Sequence, residues 1–258
     1  MNWFKNFLQS SIGKKLLMSL TGIFLCTFLI AHLSGNLQLF KNDSGLSFNT
    51  YAVFMTTNPF IKFVSYGLYA IILFHAIWGL YLVFENKKAR PVGYQIIDGK
   101  ANSSWSSRNM GILGSIILVF IVLHMSGFWA QYKFGTTPYV QYDKDLSSGE
   151  IFVSEYAGQL NTKMLVNKSN NTETIIVKDL YTVVQDAFKQ WWIVLIYIVS
   201  MVALSFHLIH GFKSAFQTVG FNHNKYNGLI HSIGLLVFGI IIPVLFAAMP
   251  IFFFIQSI

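Results

Sequence analysis

The sequence predicts an all-α membrane protein built from five transmembrane helices. Three observations carry that expectation. Of 258 residues, 54% are apolar and only 11% charged, against roughly 25% charged in a soluble domain. The mean hydropathy is +0.53. Five apolar runs reach the roughly 20 residues that a helix rising 1.5 Å per residue needs to cross about 30 Å of hydrocarbon. They cover about 16–37, 60–84, 110–130, 191–212 and 229–255, and the chain reads as a single transmembrane domain over 1–258.

The first run follows Lys14 and Lys15 like a secretory signal. It is longer than a signal's apolar core and no small-x-small cleavage site follows, so it reads as a retained helix. The second run carries Lys62 near its start and His75 within it, and the third has His124 as its one ionisable residue. The fourth opens on Trp191 and Trp192, suited to the membrane interface. The fifth contains Pro243 and Pro250, and a proline inside a helix removes a donor and clashes with the preceding turn, so a kink is expected near Pro243.

Between the third and fourth runs lies a connection of residues 131–190. It mixes turn residues with β-prone stretches such as Thr174 to Val177. Leu180, Val183, Val184 and Phe188 have helical spacing, which predicts a short amphipathic piece leading into the Trp pair.

Charge sets the orientation. The N-terminal segment and the second and fourth connections carry ten basic residues against two acidic, whereas the opposite side balances at eight each. The positive-inside rule places the N-terminus in the cytoplasm, and the C-terminus and the 131–190 connection outside. The net charge of +8 forms no basic stripe, which argues against nucleic acid as a partner. The lone cysteine, Cys26, excludes a disulfide framework, a thiolate metal cluster and covalent haem attachment through C-x-x-C-H.

Four of seven histidines, His32, His75, His124 and His207, fall one in each of the first four runs. Ionisable groups in a membrane are costly and usually functional. Counted along their helices, His32 and His124 lie about 21–24 Å from the inner edge, and His75 and His207 about 6–9 Å from it. The levels are about 15 Å apart. Neutral imidazole is a good iron ligand, and two imidazoles from facing helices can hold a haem in a bundle core. The expectation is two haem b groups between the first four helices, the distal iron on His32 and His124 and the proximal iron on His75 and His207. A glycine follows each on the same face, at Gly35, Gly79, Gly127 and Gly211, where a small residue admits a flat macrocycle. The competing reading makes each histidine a helix-to-helix hydrogen-bond partner.

His210 shares a face with His207 and stays open as an alternative ligand, a propionate partner or a quinone contact. His223 and His231 read as solvated or structural. Lys14, Lys15, Ser19 and Arg108 are propionate candidates, since carboxylates near a membrane surface need cationic or hydroxyl partners, although the charged ones also set topology. With both axial positions filled by protein, the chemistry expected is electron transfer.

At these residues the sequence resembles a known family. The elements S-I-G-K-K-L-L-M-S-L-T-G and A-H-L-S-G-N-L (within 11–37), L-F-H-A-I-W-G-L-Y (73–81), V-L-H-M (122–125) and S-F-H-L-I-H-G-F-K-S-A-F-Q-T-V-G (205–220) are similar to the cytochrome b558 anchor subunit of succinate dehydrogenase and fumarate reductase. The resemblance implies a five-helix, two-haem subunit of complex II, holding an iron–sulfur subunit and a flavoprotein on the cytoplasmic face. It would exchange electrons with menaquinone, and the same four histidines would be the haem ligands. It makes the chain a subunit of an enzyme that does not itself bind the dicarboxylate. Asn36 and Gln38, with Asn42 and Asp43, form a polar cluster that could contact quinone, and the basic connection 87–108 could dock the soluble subunits. Two other readings stay open: a haem b anchor for another oxidoreductase, of hydrogenase or formate dehydrogenase type, and a proton-coupled transporter with structural histidines.

Overall fold

A computed structural model describes residues 2–92, 103–158, 160–169 and 171–258. The chain is mostly helical, and five helical segments among these residues are long and apolar enough to cross a membrane: Ser11–Phe40, Pro59–Lys88, Met110–Phe134, Trp191–Thr218 and Asn224–Ser257. They are called the first to fifth spans. Each exceeds its apolar run because the helix continues into polar ends where water or side chains complete the terminal turns. At the N-terminal end a separate helix, Asn2–Gln9, precedes the first span.

The fifth span changes its winding beside its first proline. Gly234–Ile241 is π-helical, and the α-helix resumes at Ile242–Ser257. Pro243 follows the change directly, and the carbonyl of Gly239, four residues before it, accepts instead from Ser205 Oγ on the fourth span. Pro250 stands inside the resumed helix. A second π-helical run, Met125–Ala130, directly follows His124 on the third span.

The expectation of an all-α chain needs correction. Residues 139–178 form a four-stranded antiparallel sheet: β1 (Tyr139–Asp145), β2 (Ile151–Tyr156), β3 (Met164–Ser169) and β4 (Thr172–Lys178), in the order β2-β1-β4-β3. The β-prone residues Thr174 to Val177 lie in β4. The physical cause is period-two burial. Val140 and Tyr142 on β1 and Val177 on β4 turn to one face and close over Val53. Val53 belongs to a helix, Leu46–Thr57, between the first and second spans. The amphipathic piece is present as the helix Leu180–Phe188, capped by Asp179, whose carboxylate accepts from Thr182 N at 3.1 Å.

The chain divides into two compact units. One comprises Met1–Ala31, Tyr66–Phe120 and Ile196–Ala248; the other comprises His32–Ser65, Ile121–Leu195 and Met249–Ile258. In the first, Phe212 stacks on Phe238 with ring centroids 4.6 Å apart. Gly234 and Gly239 let the fourth and fifth spans approach there, since a Cβ at Gly239 would come within 2.5 Å of Ile209.

In the second unit, Phe253 is fully buried and packs on Tyr181 and Phe188. Its polar centre is Asn49, which is 0% exposed. The Asn49 amide donates to Tyr142 Oη at 3.1 Å and to Asp179 Oδ1 at 3.0 Å, and its oxygen accepts from Tyr181 N at 2.9 Å. Tyr142 donates onward to Ser44 O at 3.0 Å. One side chain thereby joins the helix Leu46–Thr57, the sheet and the helix Leu180–Phe188. Gly45, at φ 87°, makes the turn into the first of these, and a Cβ there would lie 2.3 Å from the Tyr181 ring.

Candidate functional site

The four span histidines form two facing couples, one within each unit. In one unit His32 on the first span faces His124 on the third, with ring centroids 5.8 Å apart and planes 89° apart. In the other His75 on the second span faces His207 on the fourth, at 6.3 Å and 69°. The partnering of first with third and second with fourth is the one their positions along the helices predict.

The separations permit a test of fit. Two imidazoles on one metal, with bonds of about 2 Å and about 1.15 Å from nitrogen to ring centre, put their centroids about 6.3 Å apart when the nitrogens point at each other. A direct hydrogen bond of about 2.9 Å would bring them to about 5.2 Å. The 6.3 Å couple matches the first figure, and the 5.8 Å couple lies between them. Among the described residues no group of three or more His, Cys, Asp or Glu side chains is arranged around a metal position. Two protein ligands suffice for haem, whose porphyrin supplies the other four.

Surrounding groups address the ring atoms that face away from the partner. Thr21 Oγ1, on the first span, lies 2.9 Å from His75 Nδ1 and also donates to Leu17 O at 2.8 Å. With its proton committed to the carbonyl, the threonine accepts from Nδ1–H, which fixes the tautomer that leaves the Nε2 lone pair free. Asn36 Nδ2 donates to His32 O at 2.7 Å and comes within 3.4 Å of His32 Nδ1. His207 Nδ1 is buried with no hydrogen-bond partner among the described residues.

Room beside the couples is uneven. A Cβ at Gly127 or Gly211 would meet nothing within 4 Å, and one at Gly79 only Met18 Cε at 3.8 Å. Gly35 is different, because the Tyr51 ring occupies its open side, 2.3 Å from where a Cβ would stand. Sequence spacing missed two other glycines. A Cβ at Gly22 would lie 3.7 Å from His75 Cε1, and one at Gly114 would lie 3.8 Å from His207 Cε1. Both stand on helices facing the imidazoles, a relation no spacing within one helix reveals.

The ring facing His75 is that of His207. His210, one turn further on, is half-buried and makes no ring contact with His75 among the described residues. Lys14 is committed to Glu85, at 2.6 and 2.7 Å to its two oxygens, with Tyr81 donating to the same carboxylate at 2.7 Å. Ser19 is buried and donates to Lys15 O at 2.9 Å, while Lys15 is exposed. Arg108 donates to Ser103 O at the end of the short helix Trp105–Arg108. Of the polar cluster after the first span, Gln38 Oε1 is buried without a hydrogen-bond partner among the described residues, and Asp43 caps the helix Leu46–Thr57 through Ser47 N at 3.0 Å. His223 caps the helix Asn224–Ile233, its Nδ1 accepting from Lys225 N at 3.1 Å. The middle of the basic connection 87–108 lies outside the described residues.

Fold and site together define a multi-pass helical membrane protein with two transverse histidine couples. Comparison with protein-family models, with curated proteins and with solved structures found no match to the chain.

Proposed function

We propose that the chain is the membrane-anchor cytochrome b subunit of a succinate:quinone oxidoreductase, the complex II of succinate dehydrogenase and fumarate reductase. In this reading it binds two b haems and carries electrons between a cytoplasmic iron–sulfur subunit and menaquinone in the bilayer. The observation that supports it most is the double couple, His32 with His124 and His75 with His207, the second at the separation that suits two imidazoles on one iron and the first about half an ångström shorter. The sequence resemblance supplies the partners, the dicarboxylate reaction on the flavoprotein, and the cytoplasmic membrane with the N-terminus inside.

A haem bound between two imidazoles supplies one-electron transfer with no open iron position. The four histidines would supply the ring nitrogens that hold the two haems. Thr21 orients one ring and Asn36 contacts another. Gln38, with its unused buried oxygen, is the residue best placed in the polar cluster to accept a hydrogen bond from a quinol hydroxyl, beside Asn36. Lys15 and Arg108, with Lys14 if Glu85 releases it, remain the propionate partners in this reading.

Pyridine haemochrome assay of the purified chain tests the proposal. About two b haems per chain are expected, with an iron–sulfur subunit and a flavoprotein copurifying from native membranes. A colourless preparation would overturn the haem reading. A haem-containing preparation with hydrogenase or formate dehydrogenase subunits would redirect it to another oxidoreductase.

Ring orientation gives an independent spectroscopic expectation. Ligand planes 89° and 69° apart favour neither of the two iron orbitals that overlap imidazole π electrons. Both ferric haems are therefore expected to give strongly anisotropic low-spin electron paramagnetic resonance signals, and rhombic signals typical of parallel planes would contradict the geometry.

Thr21→Val removes the acceptor from His75 Nδ1–H and makes that imidazole a poorer donor to ferric iron. Haem content should hold while the midpoint potential of the His75/His207 haem rises by tens of millivolts, a tenfold change in relative ferric affinity being about 59 mV for one electron. Thr21→Ser should stay close to wild type. Equal potentials in Thr21→Val and wild type would remove Thr21 from the site.

A further inference from the structure

Four lysines from different elements gather on one side of the sheet: Lys163 and Lys178 lie over the Tyr132 ring, Lys133 is its chain neighbour, and Lys62 is near enough to Lys163 to repel its charge. Lys62 belongs to the first turn of the second span and Lys133 to the last turn of the third. Lys163 precedes β3, and Lys178 ends β4. The Lys163 and Lys178 ammonium groups each lie 5.4 Å from the centre of the Tyr132 ring, and Lys178 also donates to Tyr132 O at 3.0 Å. Lys133 stands 5.1 Å from the Trp129 ring and 5.7 Å from that of Phe134. Tyr132 itself is buried at 4% exposure. Burial, followed by repulsion from Lys178, Lys62 and Lys133, holds the Lys163 ammonium below its usual pKa.

Positive charge converging in this way has an electrostatic cost that something must offset. Three carboxylates on or next to β1 and β4 are committed elsewhere. Glu173 binds Lys168 at 3.0 Å, Asp179 is held by Asn49 and Thr182 N, and Asp143 accepts from Thr174 at 2.6 Å. Lys62, Lys163 and Lys178 form no salt bridge among the described residues. Ordinary interfacial lysines snorkel from the ends of spanning helices, but Lys163 and Lys178 lie on the sheet and have no such need. Their neighbours are the aromatic residues that end a membrane span, at the depth of lipid headgroups.

We propose that Lys62, Lys163 and Lys178, with Lys133 at the rim, bind the phosphate group of an anionic membrane lipid at the junction of the sheet and the second and third spans. The aromatic rings of Trp129 and Phe134 pack beside its glycerol and upper acyl carbons, and the ammonium groups neutralise the phosphodiester. Lipid, not soluble phosphate, is the source because these cations lie where two spans leave the bilayer. The site is independent of the histidine couples.

Binding of spin-labelled phosphatidylglycerol and phosphatidylcholine to the purified full chain in detergent tests this. The wild type is expected to prefer phosphatidylglycerol about tenfold, given the contribution of each lysine near an anionic surface. Lys62→Gln/Lys163→Gln should lose most of that preference, and Lys62→Arg/Lys163→Arg should keep it. These two side chains donate no hydrogen bond to the protein among the described residues, and an unchanged thermal melt would show that the variants fold. Equal binding of the two lipids by wild type, or an undiminished preference in the glutamine variant, overturns the proposal. A melting shift with inorganic phosphate but no lipid preference also overturns it, and assigns the lysines to a soluble anion.

Discussion

Replacing His75 with alanine is expected to lower haem content from about two to about one per chain and leave the other haem spectrally intact. His207→Ala should do the same and abolish the same component, because its ring is the one facing His75 at 6.3 Å. His32→Ala and His124→Ala should both remove the other component, and a His75→Ala/His207→Ala double variant should retain as much haem as either single one. That non-additivity is the signature of two groups acting on one metal. His210→Ala should retain both haems. Pyridine haemochrome assays with redox titration distinguish these results. Loss of a haem from His210→Ala with none from His207→Ala would move the ligand one turn along the fourth span.

The second large effect lies away from the histidines. Asn49→Ala deletes three hydrogen bonds at once and leaves Asp179 and the Tyr181 amide without their buried partner. Each bond contributes about 1 kcal/mol and a stranded polar group costs about 1–3 kcal/mol, so a loss of about 3 kcal/mol is expected. It should appear as faster limited proteolysis within residues 135–190. Asn49→Asp should also destabilise, since its carboxylate would face Asp179 and could not donate to Tyr142. Tyr142→Phe, which removes only the contacts to Asn49 and Ser44, should cost less. Wild-type protease resistance in Asn49→Ala would show that this polar centre does not hold the second unit together.

The five spans could be read from the sequence because membrane crossing imposes a length and a polarity that few other structures share. The pairing of histidines was legible for the same reason, since residue count along a straight helix measures depth. The sheet was only half visible. β4 showed in its β-branched run, but β1 hides its buried face, Val140 and Tyr142, among Gln141, Asp143 and Lys144, and its pattern becomes meaningful only beside Val53. The helix Leu46–Thr57 is too short for a span and too apolar for an ordinary loop, so its role waits on knowing what covers it. Thr21 gave no signal because a threonine in an apolar helix normally satisfies itself on the preceding turn. It does so here too, and only the three-dimensional approach of His75 gives its oxygen a second use. Gly22 and Gly114 were hidden in the same way.

The π-helical run Met125–Ala130 makes the distance from His124 to Tyr132 a counted quantity. Its wider coil accommodates an additional residue relative to a regular helix, and each residue in an ordinary helix advances the side chain by about 100°. Shortening this stretch by a single codon would let it wind regularly and leave Tyr132 and Lys133 near their present azimuth, whereas a codon lost from a regular turn of the same span would swing them by about 100°. The wide run is therefore the one place between His124 and Tyr132 where the chain length can change by a residue with both ends held.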